Sequence, residues 1–287
     1  PRDVVAQSGL AEVLKKQGRL DEAEQQYRLA ISRFPRNVVA KCGLAEVLKE
    51  QGRLDEAEEQ YRTSVATFPN DAVAQCGLAE VLKQQGRLDK AEDAYRQAHD
   101  RWPRNRVARN GLANLLRTRH RFAEALALLP EPMELRTRAD FVDLHLVGMI
   151  QLGMGSIDAA TRIFRSGRDN ARWKEERSYF ASALVVARLR QERYDEALAD
   201  LEGLENAQPQ VATLRLHALA GRRDESRVRP LHEDLDSRFL TFQPPVQASL
   251  KLIESAFGLD RPGAIRRPTA DEVTAIAGAE IEMLLAA

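Results

Sequence analysis

The chain has 287 residues, with 43 Lys and Arg against 43 Asp and Glu, 44% hydrophobic residues and 6% aromatic residues. That balance excludes a collagen and a generally disordered chain, and no apolar run nears the roughly 18 residues that a membrane-spanning helix needs. A formal net charge of +0 argues against bulk binding to nucleic acid or anionic lipid, and two cysteines are too few for a disulfide framework. The expectation is a soluble, cytoplasmic protein with no membrane contact.

One period governs the first 129 residues. Residues 1–6 read Pro-Arg-Asp-Val-Val-Ala and residues 35–40 read Pro-Arg-Asn-Val-Val-Ala. Pro1 therefore stands where a repeat ends, and the array is expected to continue ahead of it. Gln-Gly-Arg-Leu-Asp occurs at 17–21, 51–55 and 85–89, and Gly-Leu-Ala at 9–11, 43–45, 77–79 and 111–113. Successive copies start 34 residues apart, a spacing that marks a repeat architecture.

Each unit reads as two helices. The first opens after Asp3, Asn37, Asp71 or Asn105, whose side chains can cap exposed amides. Its apolar face is Leu10 with Leu14, Leu44 with Leu48, and Leu78 with Leu82. Gly18, Gly52 and Gly86 end it, since glycine tolerates a left-handed backbone. The second helix is expected to open at Asp21, Asp55 and Asp89, with Glu24, Glu58 and Glu92 completing a capping box. Pro35, Pro69 and Pro103 stop it. Ala11, Ala45 and Ala79, with Ala23, Ala57 and Ala91, let backbones approach closely, and Tyr27, Tyr61 and Tyr95 fill space toward the next unit. A single hairpin of this kind cannot bury its apolar face, so neighbours must stack.

Over roughly the first 130 residues these units resemble tetratricopeptide repeats in period, two-helix layout, alanines, aromatic and closing proline. They depart in carrying Leu14, Leu48 and Leu82 where the family has a bulky first-helix aromatic. Ala11, Ala45 and Ala79 replace its first-helix glycine. The resemblance implies an all-α, right-handed superhelical solenoid of stacked hairpins, used mainly as a scaffold for many partners.

Regularity then fades. The fourth unit keeps Leu112, Ala113, Leu116 and Ala125, has His120 for the turn glycine, and runs into Pro130 and Pro132. Looser hairpins are marked by Val147, Gly148, Gly155, Ile157, Ala160 and Phe164, and then by Leu184, Tyr194, Ala197, Leu201 and Pro209. A fainter one spans Leu214, Ala220, Gly221 and Asp224, with Pro230 expected to kink or restart its second helix. The domain reading is regular repeats at 1–129, degenerate hairpins at 133–240, and C-terminal capping or docking helices at 241–287. In the last segment Pro244 to Phe257 reads as a helix ended by Gly258, followed by a linker at 260–268. Thr269 and Glu272 form a capping box for a final helix with Val273, Ile276, Ala277, Glu280, Ile281 and Leu284 on one side. That helix either caps the solenoid or docks or dimerises.

No catalytic constellation emerges. None of His99, His120, His145, His217 and His232 forms an HExxH pair or sits near a cysteine in zinc spacing, and no phosphate loop or nucleophile elbow is present. Cys42 and Cys76 fall where Ser8 and Asn110 stand in flanking units, which suits small fillers. No enzyme, cofactor or metal is expected.

The resemblance places the ligand groove along the first helices, which gives four columns: Val5, Val39, Val73 and Val107; Ser8, Cys42, Cys76 and Asn110; Glu12, Glu46, Glu80 and Asn114; Lys15, Lys49, Lys83 and Arg117. Each Glu can pair with the Lys three residues on, at only about 0–1 kcal/mol if exposed, so a ligand could rearrange them. The expected partner is a peptide or helix of another protein, held through Val39, Cys42, Glu46, Lys49, Val73, Cys76, Glu80, Lys83, Asn110, Asn114 and Arg117. Recent duplication alone would also copy that surface from unit to unit without any ligand. The alternative functional surface is Arg101, Arg104, Arg106, Arg109, Arg117, Arg119 and Arg121, for RNA or an acidic partner in salt-dependent binding. In the second half the corresponding face (Val142, His145, Met149, Leu152, Tyr179, Ser182, Val186 and Leu189) is more apolar. It is expected to hold a partner helix or be filled by another part of the chain. The sequence thus reads as a non-catalytic scaffold, or the regulatory module of a larger bacterial protein whose effector domain is itself a candidate partner.

Overall fold

A computed structural model describes residues 2–130, 141–202, 204, 208–260 and 264–286. Pro1, the Pro132 break, residues 133–139 and positions 261–263 of the linker lie outside the described residues, as does the side chain of Val5. The chain divides into two compact units, Pro1–Leu129 and Pro130–Ala287. Among the described residues both are built of helices without strands.

The first unit holds α1 (Arg2–Lys16), α2 (Leu20–Arg33), α3 (Val38–Glu50), α4 (Leu54–Thr67), α5 (Ala72–Gln84), α6 (Leu88–Arg101), α7 (Arg106–Thr118) and α8 (Phe122–Ala127). The caps of the first helices form as the sequence predicts. Asn37, Asp71 and Asn105 accept from the backbone N–H of Ala40, Ala74 and Ala108 at 2.8, 2.8 and 3.1 Å. Asp3 differs, because α1 already begins at Arg2. Gly18, Gly52 and Gly86 take the left-handed backbone at φ of 74°, 78° and 74°, and His120 serves the same turn at 58°.

The predicted capping boxes of the second helices do not form. The residues ahead of α2, α4 and α6 are Arg19, Arg53 and Arg87, and none caps through its side chain, since a guanidinium has no acceptor to offer. Glu24 instead accepts from Arg53 at 2.8 Å, Glu58 from Arg87 at 2.6 Å and Glu92 from Arg121 at 2.7 Å. Gln51 and Gln85 likewise donate to Asp21 and Asp55, each at 3.0 Å. The Gln-Gly-Arg-Leu-Asp signature is therefore a clamp between successive units as well as a turn within one.

Packing follows the same period. Ala23, Tyr27, Ala45, Leu48, Ala57, Tyr61, Ala79 and Tyr95 are buried. Beyond their own hairpins, α1 touches α3, α3 touches α5, and α5 touches α7, so first helices line the inner side of the stack. Leu44 and Val47 of the second unit of the array are buried, while their counterparts Leu10 and Val13 are half exposed.

The second unit holds α9 (Phe141–Gly153), α10 (Ile157–Asn170), α11 (Lys174–Leu189), α12 (Tyr194–Asp200), α13 (Pro209–Arg222), α14 (Glu225–Ser237), a 3-10 turn at Phe239–Thr241, α15 (Pro244–Phe257) and α16 (Ala270–Ala286). Phe164, Phe180, Leu184, Leu214 and Phe257 anchor its core. Pro230 does not restart α14, which runs through it as one helix. The carbonyl that the proline leaves without a donor belongs to exposed Ser226, where water can serve it. Thr269 and Glu272 do form a capping box: the Thr269 N–H donates to Glu272 at 2.8 Å and the Glu272 N–H to the Thr269 hydroxyl at 3.3 Å.

Candidate functional site

Val39, Val73 and Val107 are each the second residue of their helix, in the first turn of α3, α5 and α7. They are 64%, 66% and 67% exposed, so the array displays a repeated apolar column on the helices of its inner side. Cys42 and Cys76 lie one turn further on and are buried. Burial, with the nearby Asp71 charge, pushes their thiols up to about 12 and about 11. Neither is a thiolate at neutral pH, which fits fillers rather than nucleophiles.

The acidic and basic columns are built into the unit. Glu46 takes Lys49 at 2.6 Å and the Tyr61 hydroxyl at 2.9 Å; Glu80 takes Lys83 at 2.8 Å and the Tyr95 hydroxyl at 2.7 Å. Glu12 repeats the pattern with Lys15 at 3.0 Å and Tyr27 at 3.2 Å. Burial draws the Glu80 carboxyl upward, but Lys83 and the Tyr95 hydroxyl outweigh it and leave the pKa below the ordinary range. Burial, then the adjacent carboxylates, hold the Tyr61 and Tyr95 phenols well above theirs. The picture of freely rearranged surface pairs is thus corrected. Pulling Glu46 away would strand a buried tyrosine hydroxyl, at about 1–3 kcal/mol.

The fourth unit departs from this chemistry. Arg109 Nε donates to Asn110 at 3.2 Å, and Arg117 Nε to Asn114 at 3.1 Å with Arg117 itself buried. Of the predicted contact residues, Val39 and Val73 are the exposed ones, joined by Val107. The Tyr–Glu tie escaped sequence reasoning, although the constant 15-residue offset between Glu46 and Tyr61, and between Glu80 and Tyr95, was the available signal.

Two of the arginines of residues 101–121 are held by acids. Arg119 pairs with Asp89 at 2.8 Å and Glu92 at 2.9 Å, and Arg121 with Glu92 at 2.7 Å and Glu124 at 2.6 Å. Arg101 bonds to Asn70 and stacks on Trp102. Acids outside the stretch thus neutralise Arg119 and Arg121.

Elsewhere, an open depression of about 470 Å³ is lined by Gly52, Leu54, Asp55, Gln85 and Arg87, residues of the clamp. His145 sits among Phe164, Tyr179 and Phe180, and His232 binds Glu254 at 2.8 Å. Among the described residues, no group of three His, Cys, Asp or Glu could hold a metal, and no helix is long and apolar enough to cross a membrane.

The second unit's inner face is occupied. His145, Met149, Leu152, Ser182, Val186 and Leu189 are buried, and Val142 remains exposed. Tyr179 donates its hydroxyl to the Leu284 carbonyl of α16 at 3.0 Å. The face predicted to hold a helix or be filled by the chain is filled by the chain.

Comparison with known proteins agrees with this architecture. A tetratricopeptide repeat family model matches residues 2–70 and 36–104, and a second tetratricopeptide repeat model matches residues 107–139. No curated protein matches. Among solved structures, a tetratricopeptide repeat protein from Parabacteroides merdae is similar at TM-score 0.65 and 15% identity, over 89% of this chain and 100% of that one. Pseudomonas aeruginosa pilF is similar at 0.55 and 16%, over 78% of this chain and 97% of that one. A chain of the APC/C hetero-tetramer Cut9-Hcn1 is similar at 0.58 and 15%, over 75% of this chain and 43% of that one. At such identities the likeness speaks to fold alone, and the repeat-by-repeat match leads to one conclusion: residues 2–139 of this chain are tetratricopeptide repeats.

Proposed function

We propose that the protein is a non-catalytic interaction scaffold whose first unit holds an extended peptide or helix of another protein along α3, α5 and α7. The observation that carries the reading is the column of Val39, Val73 and Val107, each about two-thirds exposed. Apolar residues repeated on one open face favour a ligand with apolar groups at matching intervals. Glu46–Lys49 and Glu80–Lys83 frame that column as fixed, polarised pairs rather than free charges. The buried cysteines and the ion-paired arginines Arg119 and Arg121 weigh against catalysis and against an RNA-binding patch. The hetero-tetramer to which one similar chain belongs is in keeping with a scaffold role. The bacterial sources of two similar structures support a bacterial origin.

The test is selection of peptides from a displayed library on the immobilised chain, followed by affinity measurement against Val39→Glu/Val73→Glu/Val107→Glu. Glutamate suits the first turn of a helix, so melting should not change. The selected peptides should bind at least about tenfold more weakly, a loss of ~1.4 kcal/mol. Equal binding would remove the valine column as the site.

A further inference from the structure

Two turns of the second unit spend a strained backbone position on a charged residue. Gly155 and Gly258 take the left-handed conformation after α9 and α15, at φ of 79° and 67°. After α11 and α13 the same conformation falls to Glu192 and Arg223, at 55° and 59°. A side chain there carries a steric cost that glycine avoids, and such positions gather where a ligand is clamped. Both residues line one recess of about 250 Å³, together with Tyr194, Phe257, Arg266 and Arg267.

The charges around the recess are not balanced as they are in the regular turns. There Arg53 is answered by Glu24 and Glu56, and Arg87 by Glu58. In the second unit Arg222 keeps one arm of that clamp on Asp195 at 3.0 Å, and Arg266 is held by Glu272 at 2.9 Å. Arg223 and Arg267 differ: among the described residues neither guanidinium makes a hydrogen bond or an ion pair. The wall beside them is aromatic and fixed. The Tyr194 ring lies so close to the Gly221 backbone that a Cβ there would sit 2.2 Å from it, and Phe257 is buried. Burial and then Glu192 hold the Tyr194 phenol above its ordinary range, while Arg267 draws it back, so both charges reach the hydroxyl.

We propose that this recess binds a small phosphate monoester that carries a flat ring, with the phosphate between Arg223 and Arg267 and the ring on Tyr194. Two guanidinium forks match the oxygens and the double charge of a phosphate monoester, and a single carboxylate would leave one fork unused. An inorganic phosphate would use the arginines alone and leave the aromatic wall to water. Glu192 adds a second preference: it disfavours a ligand that is negative throughout and favours one with a hydrogen-bond donor away from the phosphate. The left-handed backbone at Arg223 then has a purpose, since it places a guanidinium where the other turns place no side chain. This recess lies in the second unit and stands or falls separately from the valine column.

The test is calorimetric titration of the full chain with phenyl phosphate, with inorganic phosphate for comparison. Phenyl phosphate should bind saturably and at least about tenfold more tightly than inorganic phosphate. Arg223→Gly should weaken that binding at least about tenfold and yet melt no lower than wild type, because glycine relieves the left-handed backbone. Loss of the ligand is then separated from loss of the fold. Arg267→Gln, a change in an exposed side chain, should weaken binding as much. Tighter binding of adenosine 5′-monophosphate or of O-phosphotyrosine than of phenyl phosphate would support the proposal and tell a nucleobase from a phenol. No saturation up to about 10 mM phenyl phosphate would overturn it, as would undiminished binding to either variant. Equal affinity for phenyl phosphate and inorganic phosphate would overturn it too, by reducing the recess to two surface charges.

Discussion

The Gly-Leu-Ala motif offers a test in which one substitution should have opposite signs at two equivalent places. A Cβ on Gly77 would lie 2.3 Å from Tyr61 Cε1 and 2.4 Å from Cζ. Ordinary carbon contacts are roughly 3.5–4.0 Å, so the ring would have to retreat by more than about 1 Å. It has nowhere to go, being 2% exposed with its hydroxyl given to Glu46. Overpacking of this kind costs about 1–3 kcal/mol, and loss of the Tyr61–Glu46 bond adds about 1 kcal/mol. Alanine's better helix propensity returns about 1 kcal/mol, so Gly77→Ala should destabilise by about 1–3 kcal/mol. At Gly9 nothing lies within 4 Å, and Gly9→Ala should stabilise by about 0.5–1 kcal/mol. Urea denaturation followed by helical signal, with hydrogen exchange to localise the effect, reads both changes in a solenoid whose units need not melt together. Shifts of the same sign and size would refute the idea that the tyrosine of one unit dictates glycine in the next.

Three further expectations follow from the same packing. The Tyr61 and Tyr95 phenols sit above the ordinary value of about 10, so the folded state keeps protons that the unfolded state releases. Stability should hold below pH ~10 and fall above it, by up to about 1.4 kcal/mol per pH unit for each tyrosine, and Tyr61→Phe should flatten the slope of the denaturation midpoint against pH. Glu92 collects Arg96, Arg119 and Arg121. Glu92→Ala should cost about 1–3 kcal/mol by chemical denaturation, whereas Glu22→Ala, which loses only an exposed pair with Arg19, should leave the midpoint in place. Leu44→Ala should cost about 2–5 kcal/mol, and Leu10→Ala, at a position 49% exposed, distinctly less; equal losses in the melting curves would contradict the burial difference.

What could be read from the sequence was what local chemistry controls. The 34-residue period, the caps at Asn37, Asp71 and Asn105, the left-handed turns at Gly18, Gly52 and Gly86, and the capping box at Thr269 depend on residues a few positions apart. Helical spacing likewise puts Val39, Cys42 and Glu46 on one face, whereas the choice of that face as a groove came from the resemblance to tetratricopeptide repeats. Where the partners were distant, local rules misled. Glu24, Glu58 and Glu92 have the spacing of a capping box, yet an arginine 29 residues on offers a charged donor, and the helices begin one residue ahead of Asp21, Asp55 and Asp89, so those acids lie inside them. Acids at Asp89, Glu92 and Glu124 pair with Arg119 and Arg121 in a stretch that looks purely basic when read by itself. The largest share decided by tertiary structure is α16. Its amphipathic stripe states that it packs, but which face it covers depends on His217 and Tyr179, 63 and 105 residues from their contacts. Local hydrogen bonds are chosen by neighbours in sequence; burial and charge pairing are chosen by whatever the folded chain brings alongside, and no periodicity encodes that choice.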